Sequence, residues 1–178
     1  MTDIHAGIAT EIPRLQRYAR LLTRDRVAAE DLVQDCLARA LSKVHLWERG
    51  TDLRAWLFTI LHNQYVNFVR RSARECAMLG WSEPEPRLGA GADQIHILEL
   101  RDLERALAHL PQEQRTILLL VAVEGLRYDE VARVLDVPVG TVRSRLSRGR
   151  ETLRRHMGIA PAAPPAPRRA AIAQCRHA

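Results

Sequence analysis

The sequence predicts an all-α protein of two small helical domains joined by a flexible connector. Three observations carry that expectation. Apolar residues recur at intervals of three and four through most long segments, the period of an amphipathic helix. A proline- and glycine-rich stretch from Ser82 to Gly91 interrupts that period midway and reads as a linker. Beyond it, a short helix, a tight turn and an arginine-laden second helix follow one another between Tyr128 and Arg150, the order of a helix-turn-helix. The expected divisions are 8–75 for the first domain, 76–92 for the connector, 93–157 for the second domain and 158–178 for a disordered Ala/Pro/Arg tail.

The first helix is expected from about Ile8 to Leu22, with Ile12, Leu15, Tyr18, Ala19 and Leu22 inward and Pro13 tolerated in its first turn. Thr23–Arg26 connects it to a second helix from about Val27 to Val44. There Leu32, Val33, Cys36, Leu37, Ala40, Leu41 and Val44 repeat at three and four, while Asp31, Gln34, Asp35 and Ala38 occupy the other face. A loop follows from Leu46, with Gly50 at its bend and Thr51 or Asp52 placed to cap the next helix. That third helix spans about Leu53 to Arg74. Leu53, Leu57, Ile60, Leu61 and Phe68 form its inward stripe. On one flank Trp56, Thr59, Asn63 and Arg70 line up as an indole, a hydroxyl, an amide and a guanidinium. Such a row can stack on a base, hydrogen-bond its edge and hold phosphate; taken alone, it equally fits a core tryptophan beside a solvated asparagine.

In the second domain Ile95, Leu98, Leu103, Leu107 and Leu110 carry one helix. Pro111 opens another, which stops at Gly125. The helix-turn-helix comes next, broken at Asp136-Val137-Pro138. On its second helix Val142, Leu146, Gly149 and Leu153 point inward, and Ser144, Ser147, Arg148, Glu151 and Arg155 point the opposite way. Arg143, Arg150 and Arg154 line one flank. Six arginines between Val139 and His156 oppose a single acid, Glu151. A cationic helix after a tight turn is suited to a DNA major groove, beyond what a merely solvated charged surface requires.

Composition narrows the function classes. The 178 residues carry a net charge of +6, which favours a polyanionic partner. No apolar run is long enough to span a bilayer, and the N-terminus lacks the pattern of a secretory signal, so a cytoplasmic protein without membrane insertion is expected. Three cysteines (36, 76, 175) and seven scattered histidines show no zinc or disulfide spacing, so no metal and no cofactor are expected. Cys36 reads as a small core residue. Without a phosphate-cradling glycine loop, paired carboxylates or a nucleophile triad, neither enzymatic activity nor a small-molecule substrate is expected.

Two sets of motifs now carry a resemblance. Leu110–Arg115, Glu124–Ala132 and Val137–Leu146 resemble the second conserved domain of bacterial extracytoplasmic-function (ECF) sigma factors, of the sigma-70 family. Ala29–Asp35 and Leu53–Asn63 resemble the first, and the likeness covers about Ile8 to Met157 in the family's order. It implies a dissociable RNA polymerase subunit with a region 2 bundle and a region 4 helix-turn-helix, serving a stress or envelope response. Asp31, Gln34 and Asp35 would bind core polymerase. Trp56, Thr59, Asn63 and Arg70 would meet the melted −10 element, with an everted base enclosed by the loop from Glu48 to Asp52. Thr141, Arg143, Ser144, Arg145, Ser147 and Arg148 would face the −35 duplex, Arg145 holding phosphate together with Arg150 and Arg154. The resemblance also implies an anti-sigma factor as partner. Two rival readings are a sigma-like mimic that sequesters an anti-sigma factor without touching promoters, and an autonomous repressor. The mimic loses ground because the DNA-facing arginines are intact, and the repressor because it leaves the first domain idle.

Overall fold

The computed structural model describes residues 2–48, 50–79 and 96–159, and all seven α-helices there are packed into one body. The expected connector beyond residue 79 and the expected tail beyond residue 159 lie outside the described residues.

Helix α1 (Thr2–Thr23) begins earlier than its apolar period indicates, so Pro13 lies mid-helix and not in the first turn. The added turns are held because Ile8 is buried and Ile4 packs against the core. Arg24, at a left-handed φ of 57°, ends the helix, and its N–H donates to the Arg20 carbonyl at 2.9 Å. Helix α2 (Arg26–Ser42) is capped by Asp25, whose carboxylate accepts the Ala28 N–H at 2.8 Å. A 3₁₀ turn (Val44–Leu46) leads to the loop before α3 (Leu53–Leu79). Asp52 caps α3 by accepting the Ala55 N–H at 3.1 Å, whereas the Thr51 hydroxyl donates back to Glu48. The helix runs past Arg74 to Leu79.

Leu15, Tyr18, Leu22, Val33, Cys36, Leu57, Phe58, Leu61 and Tyr65 form the core of this three-helix unit, with Tyr18 and Phe58 edge to face at 5.2 Å. Two residues expected inside lie outside: Leu41 (45% exposed) and Phe68 (44% exposed). Leu41 falls off the narrow inward arc held by Leu32, Val33, Cys36 and Ala40. Phe68 is on the inward side of α3, but at the height where α1 turns into α2, so it borders a groove lined by Thr23, Asp25 and Val27.

In the second unit, Pro111 starts α5 (Gln112–Ala122) after α4 (His96–Ala108). Gly125, at φ 66°, turns the chain, and the Leu126 N–H reaches back to the Leu120 carbonyl at 3.0 Å. Helix α6 (Tyr128–Leu135) is opened by Glu130, whose carboxylate accepts the Arg127 N–H at 2.7 Å. Asp136 ends it in the left-handed region (φ 51°), and α7 (Val139–His156) follows Pro138. Val142, Leu146 and Gly149 are buried as their period requires.

The two units are not separate bodies. α3 packs along α6, and α1 touches α5.

Candidate nucleic-acid interface

On α7, burial of Val142, Leu146 and Gly149 forces the intervening side chains outward. Arg143, Ser144, Ser147, Arg148 and Arg150 are exposed, and Thr141 is half-buried at the helix start. Ser144 donates its hydroxyl to the Thr141 carbonyl at 3.1 Å, leaving its lone pairs to accept. Arg143 and Arg148 enter no ion pair among the described residues, so their guanidinium groups are free for an external anion. Arg145 is different: it meets the Glu113 carboxylate at 2.7 Å and is only 30% exposed, which ties α7 to α5. In this arrangement it is a strut, where the sequence placed a free phosphate contact.

The α3 row divides. Trp56 is half-buried against the core, and Thr59, also half-buried, donates its hydroxyl to the Ala55 carbonyl at 2.9 Å. Asn63 and Arg70 are exposed. These two line a cleft of about 580 Å³ whose opposite wall holds Gln112, Glu113, Leu135, Val137 and Arg145. Asn63 and Arg70 of α3 and one arginine of α7 therefore share a single opening. Beside them, burial lowers the His62 imidazole to about 4, and its Nδ1 is shielded without a partner, so the ring is neutral at physiological pH.

Asp31, Gln34 and Asp35 are exposed along α2. Asp31 and Asp35 rim a groove of about 680 Å³ between α2 and α3, floored by Val27 and Phe68. An acidic rim around exposed apolar side chains suits a partner helix carrying both basic and apolar groups. No group of three or more potential metal-ligating side chains occurs among the described residues.

Sequence reasoning passed over the residues that join the units. The Glu124 carboxylate is fully buried. Its Oε1 accepts both Nε (3.1 Å) and Nη2 (2.9 Å) of Arg17 on α1, and its Oε2 lies 3.8 Å from Nη2 of Arg54 on α3. Arg115 of α5, also buried, donates to the Tyr65 hydroxyl at 3.2 Å, and that hydroxyl in turn donates to the Leu22 carbonyl at 3.4 Å. One signal was present: Glu124 is an acid placed directly after the apolar run Ile117–Val123, where burial without a partner would be costly.

Comparison with known proteins agrees with this geometry. Residues 100–153 match the family described as sigma-70, region 4, and residues 8–62 match the sigma2 domain of PhyR. The ECF RNA polymerase sigma factor EcfG of Rhodopseudomonas palustris is 36% identical over 154 residues, covering 86% of this chain and 84% of that protein. The sigma factor RpoE of Bartonella quintana, solved in complex with the anti-sigma factor NepR, superposes with a TM-score of 0.84 at 31% identity. That match covers 90% of this chain and all of the other. PhyRSL, solved in complex with NepR from Sphingomonas sp. Fr1, shares the fold, at a TM-score of 0.59 and 18% identity over 89% of this chain and 92% of its own. The chain belongs to the ECF sigma factors of the sigma-70 family, subunits that direct RNA polymerase to promoters.

Proposed function

We propose that three faces of this chain divide the work of promoter recognition. The α2 groove, rimmed by Asp31 and Asp35 with Gln34 beside it, docks on core RNA polymerase. The α3 row captures the melted −10 strand: Trp56 and Thr59 border the everted base, Asn63 hydrogen-bonds a base edge and Arg70 holds backbone. No hydrolysis by this chain is needed, because stacking and hydrogen bonding of captured bases offset the few kcal/mol that each extruded base costs.

On α7, Arg143, Ser144 and Arg148 face the −35 duplex, with Thr141 at the helix start and Ser147 between the arginines. The free guanidinium groups of Arg143 and Arg148 carry this assignment. Arginine pairs bidentately with guanine in the major groove, and each good pair contributes about 1–3 kcal/mol of discrimination. Arg150 grips phosphate, which positions without specifying. Arg145 joins it only when released from Glu113. The protein works in the cytoplasm and is held inactive by an anti-sigma factor, as the likeness to the NepR-bound RpoE supports.

The match of residues 8–62 to a PhyR sigma2 domain favours a second reading, a mimic that captures an anti-sigma factor and never meets a promoter. Run-off transcription with core polymerase separates the two. A sigma factor gives defined starts only with core present, and Arg143→Ala or Arg148→Ala shifts promoter selectivity. A mimic gives no starts, and unchanged selectivity in both variants would refute the α7 assignment.

A further inference from the structure

The fold brings together two histidines that stand far apart in the sequence. His109, in the turn after α4, and His156, the last residue of α7, stack their rings with centroids 4.9 Å apart and planes 15° from parallel. Both side chains are exposed, yet the backbone beneath each is held. The His109 N–H donates to the Arg105 carbonyl at 3.3 Å, and Leu107 and Leu110 on either side are buried. Past His156, the Met157 N–H donates to the Leu153 carbonyl at 3.0 Å. Gly158, at φ 65°, then closes the helix with its N–H on the Arg155 carbonyl at 3.3 Å. Two anchored helix ends therefore fix where the imidazoles stand.

The pair borders a hollow of about 480 Å³ shared with Asp102, Arg105, Met157 and the buried Ala106. The cationic side chains nearby are turned to other partners. Arg105 meets the Asp102 carboxylate at 3.2 Å, and Arg155 is drawn along α7 to the Thr152 hydroxyl at 3.1 Å. The C-terminal end of an α-helix also carries partial negative charge, which favours a cation beside His156.

We propose that His109 and His156 form a binding site for a divalent transition-metal ion of the zinc class, which staples the end of α4 to the end of α7. Imidazole nitrogen suits zinc, copper and nickel, and zinc imposes no geometry from its d electrons. A tetrahedral ion about 2.0–2.1 Å from one nitrogen of each ring sets the ring centres about 5 Å apart. The observed 4.9 Å matches that separation. Each ring needs only to turn about its Cβ–Cγ bond to aim a nitrogen at the shared point, and that torsion is broad for imidazole. No third ligating side chain joins the pair among the described residues, so water completes the shell and the ion exchanges with solvent. An ion held by both helix ends binds the folded chain in preference to the unfolded one, and so stabilises it. The site lies wholly within the second helical unit and draws nothing from the promoter function proposed above.

Zinc chloride titrated into the full chain tests the site, with Cys76 and Cys175 replaced by serine so that their thiols do not compete. Uptake is read by calorimetry and by the imidazole C–H signals in NMR spectra. A single zinc ion should bind, shift the His109 and His156 signals together, and raise the thermal midpoint by about 2–4 °C. His109→Ala and His156→Ala should each weaken uptake by about tenfold or more, because the chelate is lost, and should abolish the thermal shift. Should either lose its helical signal, His109→Phe with His156→Phe decides the matter, since it keeps two aromatic rings in contact and removes the nitrogens. Uptake unchanged in the folded Phe pair would overturn the site, because the ion would then sit elsewhere. So would a loss in one single variant and not the other, since one imidazole alone binds metal adventitiously. Absence of saturable zinc uptake by the parent chain would overturn it outright.

Discussion

Cys36 of α2 packs against α3 and His62 belongs to α3, and burial acts on them in opposite directions. The Cys36 thiol is pushed up to about 12, with its sulfur 3.6 Å from the Leu57 carbonyl, so almost no thiolate exists near neutrality. A variant keeping only this cysteine should resist maleimide in the native state and label as denaturant opens the core. Rapid native labelling would contradict the packing of α2 on α3. For His62 the folded value of about 4 lies below the ordinary 6.5, so the unfolded chain takes up the proton first as pH falls. Its contribution is therefore complete above about pH 6.5 and is lost as pH drops toward 4. Urea unfolding at pH 7 and pH 5 should show a loss about 1–2 kcal/mol larger in wild type than in His62→Gln. Equal losses would mean the imidazole is solvated.

At the scale of elements, α7 lies close against α5 at Gly149. A Cβ there would sit 3.3 Å from the Gln114 Cβ and 3.5 Å from the Gln114 carbonyl oxygen. Gly149→Val must push the helices apart and should destabilise by about 1–3 kcal/mol, read as a lower midpoint in thermal unfolding. At the start of α6, Glu130→Ala removes the acceptor of the Arg127 N–H and should cost about 1 kcal/mol.

Elements of this kind were legible in the sequence because a helix writes its buried side as a period. The period alone places Val142, Leu146 and Gly149 of α7 inward and Ser144, Ser147 and Arg148 outward, as they stand in the fold. The same period failed at Phe68 and at the start of α1. Periodicity reports which side of a helix faces inward, but not where its neighbours begin and end. The Arg145–Glu113 pair was invisible for a related reason, since it joins residues whose separation in sequence carries no repeat.

At the scale of the whole molecule, two helical units that the sequence joins only by a connector pack on one another through a shared apolar core, with α3 along α6 and Glu124 buried between Arg17 and Arg54. Both the α2 groove proposed to dock on polymerase and the cleft holding Asn63 and Arg70 open to solvent. Asp35→Arg, which reverses charge on the open groove, should weaken binding to core at least tenfold while leaving the fold intact by circular dichroism.

The most direct measurement is reconstituted transcription on promoter fragments with start sites mapped. Core polymerase with the wild-type chain should give discrete starts absent with core alone. The Asp35→Arg variant should give few starts at all, and Arg148→Ala should redistribute them among promoters that differ at the −35 element. Identical starts with and without the chain, or from all three proteins alike, would contradict the division of labour among α2, α3 and α7.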